Sequence, residues 1–514
     1  MNMKTKYYQV LAAIAVAIIG ALATRFSSAA DTKTEAPREA VADAQSVRAA
    51  EVKRPEQKKN DHDRSEVFRA IRAQPSSGVF ATQPREGKNS GFDLYRDLLN
   101  TDRPLENPDD IAAKLSADKP KVMAAQRKLL ESRYDLTPKL DPEAKMSRGK
   151  PLPIGPTARL ASGLTWEKLA VMSPGEIRAK GAFPYPSLPH PLQTNGGMVF
   201  PGAQIEMFPR LERFDVDFDI PEAFIPEFPP AIFLSNRPEL GDVSRGEIVS
   251  INNYYRLFKD ILTPVQLDGL RMLLTPFPQE EFNPTDDRKS REPSLGVTCL
   301  DCHVNGHTTA QFHLNPDMRP QERRMRLDTV SLRGLFNQQI HGSKRSLRSV
   351  EDFTEFEQRT AYFNGDEIHA AKKGMNILDR IPVSHMAQMQ NMLDFPPAPK
   401  LDPVTGRLDP NKANESERRG EALFFGKAQC SSCHVPPTYL DHQMHDLHLE
   451  RFVAEPGDGP IKTFTLRGIK DSPPYLHDGR ALTLEDTVEF FNLVLVLKLT
   501  GDEKHDLVMF MRQL

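Results

Sequence analysis

Four cysteines in 514 residues are too few to staple a chain of this length, so a disulfide scaffold is excluded. Tryptophan occurs once, at Trp166, and its simplest reading is a packing residue. Charge is nearly balanced at a net -3, which leaves no basic excess for a general nucleic-acid partner. Long apolar runs are scarce as well. Val10 to Ala23 is a 14-residue run, short of the roughly 20 residues of a membrane span. Lys4 and Lys6 precede it and Ser28-Ala29-Ala30 follows it. Residues 1–30 therefore read as an export signal, with an uncleaved anchor as the alternative. Hydrophobic content is modest at 39 %, whereas prolines number 43. That balance predicts long irregular connections between short helices. The length allows two or three domains.

What the chain does hold is a pattern made from those four cysteines. They fall as Cys299-Leu300-Asp301-Cys302-His303 and Cys430-Ser431-Ser432-Cys433-His434, with none left over. C-x-x-C-H is the attachment pattern of c-type haem. Two thiols on one helical turn reach the haem vinyl groups, and the adjacent histidine becomes the proximal iron ligand. A zinc site would want its C-x-x-C pairs about 15–20 residues apart. Here 127 residues separate Cys302 from Cys430. Two covalent haems are the expectation, with His303 and His434 as axial ligands; zinc and redox thiols are the weaker readings.

Residues 31–65 are rich in Ala, Glu, Lys, Arg and Asp and read as a disordered tether. Residues 66–241 hold scattered amphipathic pieces, such as Phe92 to Leu99 and Trp166 to Met172. Ten prolines fall between Pro184 and Pro230, counting both ends. This segment carries no chemical motif and reads as a long, Pro-rich, largely irregular extension wrapped over the domains that follow. From Asp242 the pattern turns helical: Tyr254, Leu257 and Ile261, then Val265, Leu267, Leu270 and Leu273, mark apolar faces before the first motif. Glu415 to Phe425 does the same before the second.

The chain then repeats. Thr329-Val330-Ser331-Leu332-Arg333-Gly334-Leu335 follows the first motif, and Thr463-Phe464-Thr465-Leu466-Arg467-Gly468-Ile469 follows the second. Each is followed by a histidine, His341 and His477, and then by an acidic-apolar helix over 349–357 and 483–491. Two related modules in tandem, 242–400 and 401–514, are the expectation. The fold class is mainly α. Thr500-Gly501-Asp502-Glu503 is a capping box for a closing helix whose stripe is Leu507, Phe510, Met511 and Leu514.

Over roughly residues 245–514 the sequence resembles the bacterial di-haem cytochrome c peroxidases and their MauG-type relatives. Arg419-Gly420-Glu421-Ala422-Leu423-Phe424-Phe425 and Pro473-Pro474-Tyr475-Leu476-His477-Asp478-Gly479-Arg480 carry the resemblance. It implies two cytochrome c-type haem domains facing each other across an interface that holds calcium, at Asp328, Ser472 and Pro474 here. It implies an open, peroxide-reactive first haem and a six-coordinate second haem that passes electrons. It also implies that the closing helix packs on the helix before the second motif. The sequence departs from this pattern twice. The usual Met or Tyr sixth ligand of the second haem is replaced by Phe491, so that haem is either open or ligated from elsewhere, with Met444, His442, His445 and His448 as the candidate substitutes. The tryptophan usual between the haems is missing from Ile340-His341-Gly342. His307 and His313 would either cap the first iron in an inactive state or fix their loop.

Splitting a peroxide bond needs a base that takes a proton from one oxygen and returns it to the other. In the family a glutamate after the first repeat does this. Glu357, in the slot of Phe491, is the first choice and Glu355 the second, against a solvated helix face. The leading reading is a periplasmic di-haem peroxidase that reduces hydrogen peroxide to water. A MauG-like oxidase acting on a protein or organic substrate and a non-enzymatic electron carrier are the alternatives. Expected partners are hydrogen peroxide and an electron-donor cytochrome c or cupredoxin, with no nucleic acid and a homodimer left open.

Overall fold

The computed structural model describes residues 108–191, 198–211, 220–275, 298–314, 326–338, 340–343, 347–357 and 380–514. The expected signal, the tether, the piece Phe92 to Leu99 and the side chain of His313 lie outside these residues. In the extension, α1 (Pro108–Arg133) precedes an antiparallel pair, β1 (Leu140–Lys145) and β2 (Pro151–Pro153). Short helices α2 (Trp166–Val171) and α3 (Pro174–Ala179), strand β3 (Met198–Val199) and helix α4 (Gly202–Met207) follow. The next part holds α5 (Tyr254–Phe258), α6 (Pro264–Leu273), α7 (Cys299–Cys302), β4 (Phe312–Leu314), β5 (Arg326–Asp328), α8 (Val350–Glu357) and α9 (Arg380–Gln390). The last part holds α10 (Glu415–Phe425), β6 (Met444–His445), β7 (Ile461–Lys462), α11 (Leu484–Val494) and α12 (Gly501–Met511). Helix outweighs strand among the described residues.

Local chemistry starts the main helices. Thr263 and Gln266 form a capping box for α6, Asn414 and Glu417 for α10, and Thr500 and Glu503 for α12. In each, the cap oxygen accepts from a backbone N–H of the first turn while the third residue accepts from the cap N–H. Such a cap is worth about 1 kcal/mol.

Two helix crossings share one design. On α6, a Cβ added to Gly269 would sit 2.0 Å from the carbonyl oxygen of His385 on α9. On α10, a Cβ at Gly420 would sit 1.9 Å from the carbonyl oxygen of Asp506 on α12. Only glycine lets the backbones approach this closely. In each pair the residue before the glycine reaches across the crossing. Asp268 Oδ2 meets His385 Nδ1 at 2.8 Å, and Arg419 Nε donates to Asp506 Oδ2 at 2.6 Å. Beyond each crossing the next contact matches too. Gly334 N–H donates to the Leu393 carbonyl at 2.8 Å and Gly468 N–H to the Leu514 carbonyl at 2.9 Å. Both glycines are left-handed, with φ of 76° and 72°.

From there the two parts run in register. His341 bridges Leu347 before α8, and Tyr475 bridges Ala481 before α11. The same offset of 134 separates Thr329 from Thr463, His341 from Tyr475 and Glu357 from Phe491. This corrects one sequence pairing: the counterpart of His341 is Tyr475, not His477. Both side chains sit at the foot of the turn, whereas His477 lies on its arch.

The extension builds into both parts. Its Tyr134, Leu169, Ile177, Phe183, Tyr185 and Phe224 share one core with Phe424, Phe452, Phe490 and Phe510 of the last part. Trp166 packs against that core and stacks on Tyr185 at 6.1 Å. Asp486, in the first turn of α11, accepts from Thr157 N–H (2.8 Å), Thr157 Oγ1 (2.6 Å) and Tyr185 Oη (2.9 Å). Strand β3 adds to the β4–β5 hairpin, giving the order β3-β4-β5. Ile232 and Leu234 belong to the core of α6 and α9, so that part begins before the expected boundary at 242.

One carboxylate joins all three parts. Asp471 Oδ1 accepts from Ser147 N–H of the extension at 3.0 Å, and Oδ2 accepts from Arg333 of the first repeat at 3.2 Å. Arg333 also donates to the Ala231 carbonyl at 2.6 Å. Both charged side chains are buried.

The crossing gives a direct test. Gly420→Ala is expected to lower the thermal unfolding midpoint, costing about 3 kcal/mol, because a rigid carbonyl blocks the new methyl. Gly501→Ala, with open space around it at the first position of α12, is expected to leave the midpoint unchanged or raise it. Equal midpoints for the two variants would contradict the crossing.

Candidate cofactor site

Each cysteine pair lies on a single turn. Cys299 and Cys302 are the ends of α7, capped by Thr298, whose N–H donates to Asp301 Oδ2 at 2.7 Å. The extension holds this turn: Gln204 Nε2 donates to the Asp301 carbonyl at 2.5 Å, and Thr309 Oγ1 donates to Gln204 Oε1 at 2.8 Å. Cys430 opens a 3-10 turn over Cys430–Ser432, and Cys433 is its C-cap. Burial beside Cys433 pushes the Cys430 thiol up to about 12, so it stays protonated at neutral pH. A redox dithiol or a thiolate metal site would need the opposite.

Both histidines are set as ligands. His303 Nδ1 lies 2.8 Å from the Val330 carbonyl, and His434 Nδ1 lies 2.9 Å from the Tyr439 carbonyl. A carbonyl only accepts, so each Nδ1 carries the proton, the tautomer in which Nε2 is the nitrogen able to bind a metal. Burial holds the His434 pKa below the ordinary imidazole value, which keeps the ring neutral. Val330 belongs to the first repeat, so the repeat itself aims the histidine.

A cavity of about 290 Å³ opens beside the second pair. Cys433, His434, Phe464 and Leu466 line one part of it, and Phe490 and Phe491 of α11 another. Asp328, Val330 and Ser331 of the first repeat also reach it. A paired-cysteine turn, a histidine whose Nδ1 is tied to a carbonyl and a largely apolar cavity beside them fit a covalently held haem.

Comparison with known proteins agrees. No protein-family profile matches the chain. A cytochrome-c peroxidase of Pseudomonas sp. is 28 % identical over 21 % of this chain and 41 % of its own length. A second, from Denitromonas iodatirespirans, is 28 % identical over 19 % and 39 %. The methylamine utilization protein MauG of Methylorubrum extorquens is 32 % identical over 16 % and 27 %. Over these stretches the chain is similar to cytochrome c peroxidase and MauG proteins. It spans less than half the length of each of these relatives. Among solved structures, a Kuenenia stuttgartiensis hydrazine synthase overlaps 52 % of this chain and 94 % of its own, at 18 % identity and a TM-score of 0.35. A MauG-like protein associated with microbial copper homeostasis overlaps 58 % and 95 %, at 17 % identity and 0.33. Both overlaps are too loose to argue from.

Phe491 lines the cavity that Cys433 and His434 line. Of the four substitutes, only His445 reaches that cavity, and its Nε2 is bonded to Asp441 Oδ2 at 2.6 Å. Met444 is buried opposite Lys462 in the β6–β7 pair, and His448 Nδ1 meets Glu450 at 3.1 Å. On α8, Glu357 holds the place that Phe491 holds on α11. Glu355 is bonded to Arg380 of α9, as its counterpart Glu489 is to Lys504 of α12. Those two glutamates tie their helices to the closing helices.

Asp328, Ser472 and Pro474 come together on the cavity wall. Asp328 Oδ1 is buried with no hydrogen-bond partner among the described residues, and burial raises its pKa well above the ordinary carboxylate value. An oxygen-seeking cation would answer that orphan. His307 does not cap an iron: its Nε2 donates to the Asp471 carbonyl at 3.0 Å and its Nδ1 accepts from Ser331 Oγ at 2.8 Å. It fixes the loop and joins the two parts. Sequence reading missed Tyr439, Lys462 and Asp471. Lys462 alone left a signal, a charge inside the apolar stretch Ile461-Lys462-Thr463-Phe464.

His307 should make stability depend on pH. Burial, then the Arg333 charge, hold its pKa well below the ordinary value. The unfolded chain therefore binds the extra proton. His307 favours folding fully above about pH 6.5 and progressively less as pH falls below it. Calorimetry is expected to show a steeper fall in the unfolding midpoint between about pH 7 and pH 5 for the wild type than for His307→Gln. Parallel curves would remove this role.

Proposed function

We propose that the chain is a di-haem c-type oxidoreductase that reduces hydrogen peroxide to water, with two tandem cytochrome c-type domains under a covering extension. The observation that carries this reading is the pair of Cys-x-x-Cys-His turns, each with a histidine whose Nδ1 is tied to a carbonyl. Cys299, Cys302, Cys430 and Cys433 hold two haem c groups, and His303 and His434 are the proximal ligands. When bound, the haems would supply the redox chemistry, passing the two electrons that with two protons turn one hydrogen peroxide into two waters.

The chain's part is proton handling and enclosure. Glu357 takes a proton from the bound oxygen and returns it to the leaving one. Its support is positional, since Phe491, its counterpart, lines the second cavity. Glu355 is the weaker choice, because Arg380 already holds it. Asp328, Ser472 and Pro474 offer a calcium site, with the orphaned Asp328 oxygen as its support. Electrons arrive from a small cytochrome c or cupredoxin. The chain works in the periplasm, a reading supported by its export-type N-terminus. Among the described residues no helix is long and apolar enough to cross a membrane. The domain limits are those of the sequence, with the first haem domain extended back to take in Ile232.

Phe491 favours a second reading. A phenyl ring binds no iron, so the second haem has no ligand at that place. A MauG-like oxidase that stores high oxidation on both irons and acts on a protein or organic substrate fits this. An electron carrier needs both irons six-coordinate and fits it less well.

Haem content and spin state test the proposal together. A pyridine haemochrome assay should give two haems per chain. Low-temperature EPR of the diferric protein should show a high-spin signal that peroxide removes. Glu357→Gln should keep both haems and lower peroxide turnover by about 10²–10⁴-fold, with Glu355→Gln close to wild type. Two low-spin signals unmoved by peroxide would sink the enzyme reading.

A further inference from the structure

The amine of Lys462 is the feature that the site leaves unexplained. Lys462 is 4 % exposed and lines the cavity with Cys433 and His434. Among the described residues its partners are the Gln338 side-chain oxygen and, at 5.0 Å, the face of Phe464. An ammonium has three donors. Among the described residues no carboxylate pairs with this one, and burial lowers its pKa to about 7. The guanidinium groups on the wall each have at least one carboxylate or carbonyl partner. Arg480 is bonded to Asp478 and Asp458, and Arg467 donates to the Leu514 carbonyl. A buried cation without a counter-charge is costly, and an anion is what its surroundings call for.

The amine is also held in place. Lys462 N–H donates to the Ser343 carbonyl at 3.0 Å, and Gln338 is likewise a first-repeat residue. The β6–β7 pair sets Lys462 against Met444. Its charge reaches His341, whose buried ring is pushed down to about 4 by burial and then by Lys462. A neutral imidazole supplies no anion either.

We propose that Lys462 is the counter-cation of a carboxylate borne by the second haem, a propionate, and that it holds that haem's reduction potential up. This rests on the di-haem reading above. A cation paired with the propionate masks a negative charge that otherwise stabilises ferric iron. Because Gln338 and Ser343 hold Lys462, the first repeat sets the electrostatics of the second haem.

The test is a spectroelectrochemical titration of the full two-haem protein. Lys462→Met should lower one midpoint by at least tenfold in the one-electron equilibrium, 59 mV, and leave the other in place. Lys462→Arg should stay within threefold of wild type. Resonance Raman should show the propionate bending modes of one haem shifted in Lys462→Met only. Should Lys462→Met fail to load its haem, Lys462→Gln decides by the same readout. Unchanged midpoints, or both midpoints moving together, would overturn the proposal. So would a wild-type midpoint that falls on adding acetate, which would mark a site for free anions. A wild-type protein lacking the second haem would instead overturn the di-haem reading.

Discussion

The carboxylate of Asp471 is where three parts of the chain meet. It takes a backbone N–H from the extension and a guanidinium from the first repeat, and its own carbonyl accepts from His307. Leaving either charge of such a buried pair alone costs about 3–5 kcal/mol. The interface is therefore fixed in one arrangement and does not slide. That arrangement sets which first-repeat residues reach the second cavity: Asp328, Val330 and Ser331 are there because Arg333 and His307 are anchored beside them.

The matched positions of the two parts show how a scaffold can be alike while its side chains differ. Both parts keep the glycine crossing, the left-handed glycine and the bridged turn, which are backbone requirements. Only glycine tolerates a carbonyl at the crossing distance, so sequence freedom there is nil. Side chains pointing from the same scaffold are free to differ. Glu357 and Phe491 hold equivalent places with opposite chemistry, as do Asp328 and Lys462, each one residue before its repeat. The scaffold thus offers one set of positions, and the two parts fill it for different tasks.

The extension is more than a cover. Tyr185 and Thr157 satisfy Asp486 at the start of α11, the helix that carries Phe491. Gln204 steadies the first cysteine turn. Strand β3 completes the sheet that leads to Asp328. A segment with no chemical motif of its own therefore positions residues of both sites through hydrogen bonds made far along the chain.

Local features of this protein were legible in the sequence. The cysteine turns and their histidines lie within five residues, the capping boxes within four, and the repeat shows as matching letters. Each depends on neighbours in the chain, and a sequence records neighbours. The Glu415–Phe425 helix and its closing partner were legible through apolar spacing and the resemblance together. What the sequence could not show are the contacts between distant residues. The carbonyl that orients His434 comes from an irregular loop, and backbone carbonyls carry no letter. The counterpart of His341 was misjudged because two histidines look alike in a string, whereas the bridge to Leu347 fixes the register. Asp471 and Lys462 read as ordinary polar residues until folding buried them. Burial turns an unremarkable charge into one that must be answered, and burial is decided only when the whole chain has packed.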